Sequence, residues 1–352
     1  MEPLPTTMRG AVLTGHSCLE MLELRDDLPL PHPGPRDVLI RVSVAGVNNT
    51  DINTRTGWYS KQNGDSQDTS WAGARIQFPR IQGADVCGRI VAVGSRVSDE
   101  RLDERVLIEP CLYEVNGQEM ERPWYFGSEC DGGFAEYTVV ASRYAHRVDG
   151  ALSDVQLASF PCSYSTAENM LSRANVDPGE RVLIPGASGG VGSASLQLAK
   201  ARGARVDVVT SASKAASLRD LGADRAVMRD EDLIDALGRD SIDVVIDLVA
   251  GVTWPQLLDV LRPGGRYATA GAIAGPLVEL DVGTLYLKGL SPFGCTVLDP
   301  PVFANLISRI EANQIVPLVA QQYPLDRIAE AQTVFLSKQH VGKIVLKLDE
   351  PT

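Results

Sequence analysis

The sequence predicts an α/β protein in which a parallel sheet, covered by helices on both faces, follows a β-rich first domain. Three observations predict it. Residues 8–160 are dominated by short β-branched runs bounded by Pro or Gly. From about residue 162 strands alternate with helices, and a glycine loop links the first of those strands to its helix. The 352 residues correspond to about two domains at ~150 residues each, enough to bury a core without a disulfide or metal staple.

In the first domain the runs 38–44 and 88–93 read as strands. Between them, 60–74 is polar, contains glycine and has no apolar period, so it reads as a surface loop of a length often tied to function. Strands are then expected over 181–184, 206–209, 243–248 and 266–270. The helices between them are expected over 193–202, up to Gly222, and over 254–261. That alternation signals a parallel sheet with helices on both faces. A helix over 302–312 and a strand over 343–347 close the chain, which carries no internal repeat.

Composition removes several function classes. With 44% hydrophobic and 22% charged residues the chain is not a disordered one. Lys and Arg number 33 against 45 Asp and Glu, a net charge of −12, which repels nucleic-acid phosphates and anionic lipid. A small-molecule substrate is expected instead. No apolar run approaches the ~18–20 residues of a membrane span, and the first fifteen residues lack a basic-then-apolar leader. The six cysteines (Cys18, Cys87, Cys111, Cys130, Cys162 and Cys295) form no C-x-x-C pair and read as reduced thiols of a cytoplasmic protein.

The strongest chemical signal is Pro185-Gly-Ala-Ser-Gly-Gly-Val-Gly192, between a predicted strand and a predicted helix. Aligned as Ala187-x-Gly189-x-x-Gly192, it is the dinucleotide fingerprint with Ala at the first glycine. Small residues keep the turn tight, let the backbone approach a pyrophosphate and pack the helix on the strand. The helix start then offers free N–H groups and partial positive charge to the phosphates. Ala187, Ser188, Gly189, Gly190, Val191 and Gly192 are therefore cofactor-binding candidates. An NAD site places a carboxylate on the ribose at the tip of the next strand. Here the chain reads Val208-Val-Thr-Ser-Ala-Ser-Lys214. Ser211 and Lys214 could instead bind a 2′-phosphate, which favours NADPH; alternatively Lys214 simply opens a solvated helix.

With this loop in place, the chain resembles the medium-chain dehydrogenase/reductase superfamily over nearly its whole length. The segments carrying the resemblance include Ala45-Gly-Val-Asn-Asn-Thr-Asp51, Gly83-Ala-Asp-Val-Cys-Gly88, Asp131-Gly-Gly-Phe-Ala-Glu-Tyr137, Leu261-Arg-Pro-Gly-Gly-Arg266 and Val341-Gly-Lys-Ile-Val-Leu346. The resemblance implies a GroES-like catalytic domain over 1–163, completed by 302–352, and a Rossmann domain over 164–301, with the active site in the cleft between them. It also implies that Thr166 and the segment Gly271-Ala272-Ile273 face the nicotinamide. Related enzymes pair through the edge of the Rossmann sheet, here near 291–297, so a dimer or tetramer is expected.

Zinc enzymes of the superfamily hold their catalytic metal through Cys, His and Cys. Those positions map onto Asn48, Ala84 and Cys162, and one thiolate cannot replace three protein ligands. The four closely spaced cysteines of a structural zinc lobe are also missing. A metal-free protein is expected, with Cys162 a small buried thiol.

What remains resembles the zinc-independent quinone oxidoreductases and 2-enoyl thioester reductases. The supporting segment is Asn48-Asn-Thr-Asp-Ile-Asn-Thr-Arg-Thr-Gly-Trp-Tyr59, together with Gly-x-Asp-Val-x-Gly at 83–88 and Ser-x-x-Lys at 211–214. The resemblance implies that Ser211 and Lys214 hold the 2′-phosphate and that Tyr59 supplies a proton. Asn48 would donate to the substrate or position the nicotinamide. Asp51 would fix the local backbone and cofactor ribose, or be purely structural. Trp58 and Trp71 would shape an apolar pocket or pack in the core, and Tyr59 itself could be a cleft-edge aromatic. Such a site suits a conjugated acceptor, whose own π-system takes up the charge that zinc carries in ketone reduction. Two other readings stay open: a zinc-free alcohol or ketone dehydrogenase, and a catalytically idle NADPH-binding sensor or structural protein.

Overall fold

A computed structural model describes residues 3–60, 69–73 and 75–348. The predicted loop over 60–74 therefore lies largely outside the described residues. Two compact units emerge, one from Met1–Cys162 with Pro317–Thr352 and the other from Ser163–Val316.

The first unit is built on a sheet whose strands run in the order Ala145–Arg147, Arg105–Ile108, Asp85–Val93, Asp37–Val47, Lys343–Lys347 and Val319–Pro324, with Tyr137–Ala141 also paired to Asp37–Val47. The β-branched run Asp37-Val-Leu-Ile-Arg-Val buries Val38, Leu39, Ile40 and Val42 in a core shared with Val86, Ile90, Phe134 and Ile344, leaving only Arg41 of the run exposed. At ~1.5–3 kcal/mol for each large apolar side chain buried, this face dominates the unit's stability. The decisive pairing is non-local. Lys343–Lys347 runs antiparallel to the end of Asp37–Val47, with Ile344 opposite Val47 and Val345 opposite Gly46. This register brings Lys343 beside Asn48, and the helix Asn49–Thr56 starts immediately after. Gly57, at φ 70°, ends that helix in the left-handed conformation glycine adopts without strain.

The second unit holds a six-stranded, all-parallel sheet in the order 3-2-1-4-5-6, counted from Arg181–Pro185 as its first strand. This is the doubly wound arrangement, with ligands expected beyond the carboxyl ends of the strands. Ser291–Gly294 lies at one edge of the sheet, and Arg225–Met228 at the other is a strand the periodicity reading leaves out. The chain rejoins the first unit at Pro317, where the sequence reading has the first domain resume at 302. The helix Pro301–Glu311 stays with the second unit, burying Val302, Phe303, Leu306, Ile307 and Ile310. Glu168 is buried and forms ion pairs with Arg202 at 2.7 Å and with Arg309 of that helix at 3.5 Å. No helix among the described residues is long and apolar enough to cross a membrane.

Candidate active site

The predicted catalytic residues Asn48, Asp51 and Tyr59 gather around one short helix. Asp51, in its first turn, is 1% exposed and accepts hydrogen bonds from the backbone N–H of Asn48 (2.7 Å) and of Gly83 (3.2 Å). Burial, offset in part by the Asn48 and Gly83 amides, pushes its carboxyl up to about 7. The Tyr59 hydroxyl lies 3.1 Å from Thr50 Oγ1 on the same helix, and burial pushes its pKa up to about 12. The phenol therefore keeps its proton throughout the neutral range.

Asn48 is engaged at both ends of its amide. Its Nδ2 donates to Asp85 Oδ2 at 2.9 Å and to the Gly46 carbonyl at 3.4 Å, and its Oδ1 accepts from Lys343 Nζ. Lys343 Nζ also pairs with Asp85 at 2.6 Å, both side chains being at most 4% exposed. The other oxygen of Asp85 accepts the Cys162 backbone N–H at 2.6 Å. Asp85 thus joins Asn48, Lys343 and Cys162 in one buried network.

Ala84 and Cys162 pack with Tyr125, whose hydroxyl donates to Cys162 Sγ at 3.0 Å. Trp71 lies against Tyr125 with ring centroids 4.8 Å apart, whereas Trp58 is 52% exposed and meets Tyr59 edge-on at 5.5 Å. Of the two tryptophans, Trp71 belongs to the apolar cluster. Burial, reinforced by the Asp85 charge, pushes the Cys162 thiol up to about 12. Lys343, Asp85 and Tyr125 escape sequence reasoning. Lys343 depends on a partner strand almost 300 positions away, and Tyr125 ends a hairpin strand (Gln118–Tyr125) with no spacing signal.

In the second unit the glycine loop leaves the strand Arg181–Pro185 through Gly186 at φ 69° and enters the helix Gly190–Ala201. Gly192 is required by packing, since a Cβ there would sit 2.4 Å from the Gly186 carbonyl oxygen. At Gly189 a Cβ would meet nothing nearer than 3.7 Å, so open space lies before the helix start, and no side chain caps its N–H groups. Such a cradle fits a pyrophosphate. Ala187 and Ser188 are buried in the loop, with Val191 in the first turn. Ser211 stands at the N-cap position of the helix Ala212–Asp220 without a side-chain capping hydrogen bond, and Lys214 Nζ reaches 3.4 Å from Ser188 Oγ. Thr166 is half-buried on the helix Pro161–Arg173, between buried Ser165 and Ala167. Gly271, Ala272 and Ile273 follow the carboxyl end of Leu261–Thr269, with Ile273 64% exposed. The parallel strands thus place the predicted loops, from the glycine loop to Gly271, at the carboxyl ends of one sheet.

Residues 34–150 match the family model described as alcohol dehydrogenase GroES-like domain, and residues 190–312 the one described as zinc-binding dehydrogenase. The quinone oxidoreductase of Lama guanicoe is 31% identical over 343 residues, covering 94% of each chain. The chain belongs to the medium-chain dehydrogenase/reductase superfamily. Within that superfamily it stands in the quinone oxidoreductase-like branch. The acryloyl-coenzyme A reductase of Metallosphaera sedula is 30% identical and covers 96% of this chain and 99% of its own. A solved structure from Sinorhizobium meliloti 1021, assigned provisionally as an alcohol dehydrogenase, matches with a TM-score of 0.93 at 44% identity, covering 99% of both chains. The protein is an oxidoreductase of a group that uses pyridine nucleotides, with a GroES-like domain and a Rossmann-type domain.

Many medium-chain dehydrogenases carry a catalytic zinc, and the residues here do not fit one. A catalytic zinc needs three donors of its own. Position 84 offers a methyl group, both ends of Asn48 are hydrogen-bonded, and Cys162 is held as a neutral thiol under the Tyr125 hydroxyl. The nearby Lys343 ammonium adds a positive charge that repels a metal cation. Among the described residues no group of three or more His, Cys, Asp or Glu is arranged to hold a metal ion.

Proposed function

We propose that the protein is a cytoplasmic, NADPH-dependent reductase that transfers hydride to a quinone or an α,β-unsaturated carbonyl without a metal. The observation that carries this reading is the pairing of a protonated, half-buried phenol at Tyr59 with a donor set at Asn48, Ala84 and Cys162 that cannot clamp zinc. A bound nicotinamide supplies the hydride. Hydride reaching the β-carbon or quinone ring leaves charge spread over an enolate or hydroquinone anion, so modest donors suffice where an isolated ketone needs strong charge stabilisation.

Tyr59 gives its proton to that anion, directly or through one water, while Thr50 Oγ1 fixes the phenol's direction. Asn48 serves as a positioning residue. With its amide tied to Asp85 and Lys343, it holds the start of the helix that presents Tyr59. Asp51 fixes the same backbone through the Asn48 and Gly83 N–H groups. On the nucleotide side, Ala187 to Gly192 cradle the pyrophosphate and Ser211 with Lys214 receives the 2′-phosphate. The absence of any carboxylate at the tip of Arg205–Thr210 supports NADPH over NADH.

A second reading, an alcohol or ketone dehydrogenase using a side-chain donor, is favoured by the 44%-identical structure assigned in that direction. The two separate by following NADPH absorbance against a quinone, an enone and simple aldehydes. The proposed function predicts turnover of the quinone or enone well above the aldehydes. Preferential aldehyde reduction would select the dehydrogenase reading, and silence on every acceptor despite NADPH binding would make the protein a sensor or structural protein.

A further inference from the structure

Beyond Ser211 and Lys214, the nucleotide end of the sheet carries another cation at the end of a neighbouring strand. Arg229 follows the strand Arg225–Met228, which pairs in parallel with Arg205–Thr210 so that Met228 stands opposite Thr210. Its backbone N–H donates to the Thr210 carbonyl at 3.1 Å, which pins it beside the strand tip that leads into Ser211. Its guanidinium is exposed and makes no hydrogen bond or ion pair among the described residues, although Asp230 and Glu231 come next in the chain.

Lys214 approaches the same place from the helix Ala212–Asp220. Its side chain is 9% exposed and its ammonium reaches Ser188 in the glycine loop. Burial pushes the Lys214 ammonium below its usual pKa, and the Arg229 charge pushes it the same way. Hydroxyls complete the surroundings. Ser211 and Ser213 lie 3.1 Å apart, and Thr210 Oγ1 is buried with no hydrogen-bond partner among the described residues. A cation following each of two paired strands, with Ser188, Thr210 and Ser211 at the same end of the sheet and no carboxylate at the tip of Arg205–Thr210, suits a dianionic phosphate monoester.

We infer that Arg229 is a second cation of the 2′-phosphate site, gripping the ribose phosphate from the end of Arg225–Met228 while Lys214 and Ser211 hold it from the adjacent helix start. This rests on the NADPH reading above and adds a specificity-determining residue to it. A guanidinium matches phosphate with two parallel N–H groups, so the side chain sets cofactor choice without touching the nicotinamide.

Calorimetric binding of 2′,5′-ADP and 5′-AMP tests the assignment, since the two probes differ only in the 2′-phosphate. The unmodified protein is expected to bind 2′,5′-ADP more tightly. Arg229→Gln should weaken 2′,5′-ADP by about tenfold or more, the scale of one charge-assisted hydrogen-bonded pair. Binding of 5′-AMP should stay unchanged, which also reports an intact fold. Lys214→Ala should show the same pattern, and the KM for NADPH should rise in both variants while that for NADH holds. If Arg229→Gln leaves 2′,5′-ADP untouched while Lys214→Ala weakens it, the role of Arg229 is overturned and the NADPH reading stands. If Arg229→Gln weakens both probes equally, Arg229 does not read the 2′-phosphate. If the unmodified protein binds the two probes alike, the NADPH reading falls and this inference with it.

Discussion

Replacing Tyr59 with Phe should lower kcat on enones by about 10²-fold, the smaller end of what a positioned general acid contributes. The substitution removes one hydroxyl, 3.1 Å from Thr50 Oγ1, and leaves the ring in place against Trp58. NADPH affinity should therefore stay as it is, and the loss should fall on kcat rather than on the KM for NADPH. Because the phenol's pKa is raised to about 12, no ionisation of Tyr59 should shape the rate between pH 6 and pH 9. Stopped-flow or steady-state assays on one enone and one quinone read this directly. An unchanged kcat would assign proton delivery to solvent or to another group.

The largest effect on stability is expected at Lys343. Its ammonium pairs with Asp85 at 2.6 Å where neither side chain is more than 4% exposed, and removing one partner of such a pair leaves an uncompensated buried charge. Lys343→Met should cost about 3–5 kcal/mol. In calorimetry the transition of the first unit should fall by roughly 10 °C. Adding Asp85→Asn removes the stranded charge, so the double variant should recover most of the loss, as expected for directly coupled sites. A single variant that melts with the unmodified protein would show that the pair adds nothing. Because Lys343 also holds Asn48, the single variant should lose reductase activity even below its melting temperature.

How much of this was legible in the amino-acid sequence depends on how local the controlling interaction is. The glycine loop and the alternating strands of the second unit follow from nearest-neighbour periodicity and turn chemistry, and the sheet forms as those patterns require. Asn48, Asp51 and Tyr59 lie within twelve positions, and one short helix closed by Gly57 gathers them. Lys343 is another matter. Its motif is visible as the start of a strand, yet its place in the network is decided by antiparallel pairing with residues 44–47. Tyr125 and Arg229 likewise acquire meaning only once a hairpin and an edge strand are in register with distant neighbours. The helix Pro301–Glu311 falls in the second unit, where Arg309 and Arg202 share buried Glu168, an ion pairing with no periodic signature.

In the proposed reaction the acceptor, and not a metal, bears the developing negative charge. Metal analysis of the purified protein, paired with enone reduction before and after dialysis against a chelator, tests it most directly. The expected result is no stoichiometric zinc and the same rate in both samples. Zinc at one ion per chain, with activity lost on chelation and restored by adding the ion back, would contradict it.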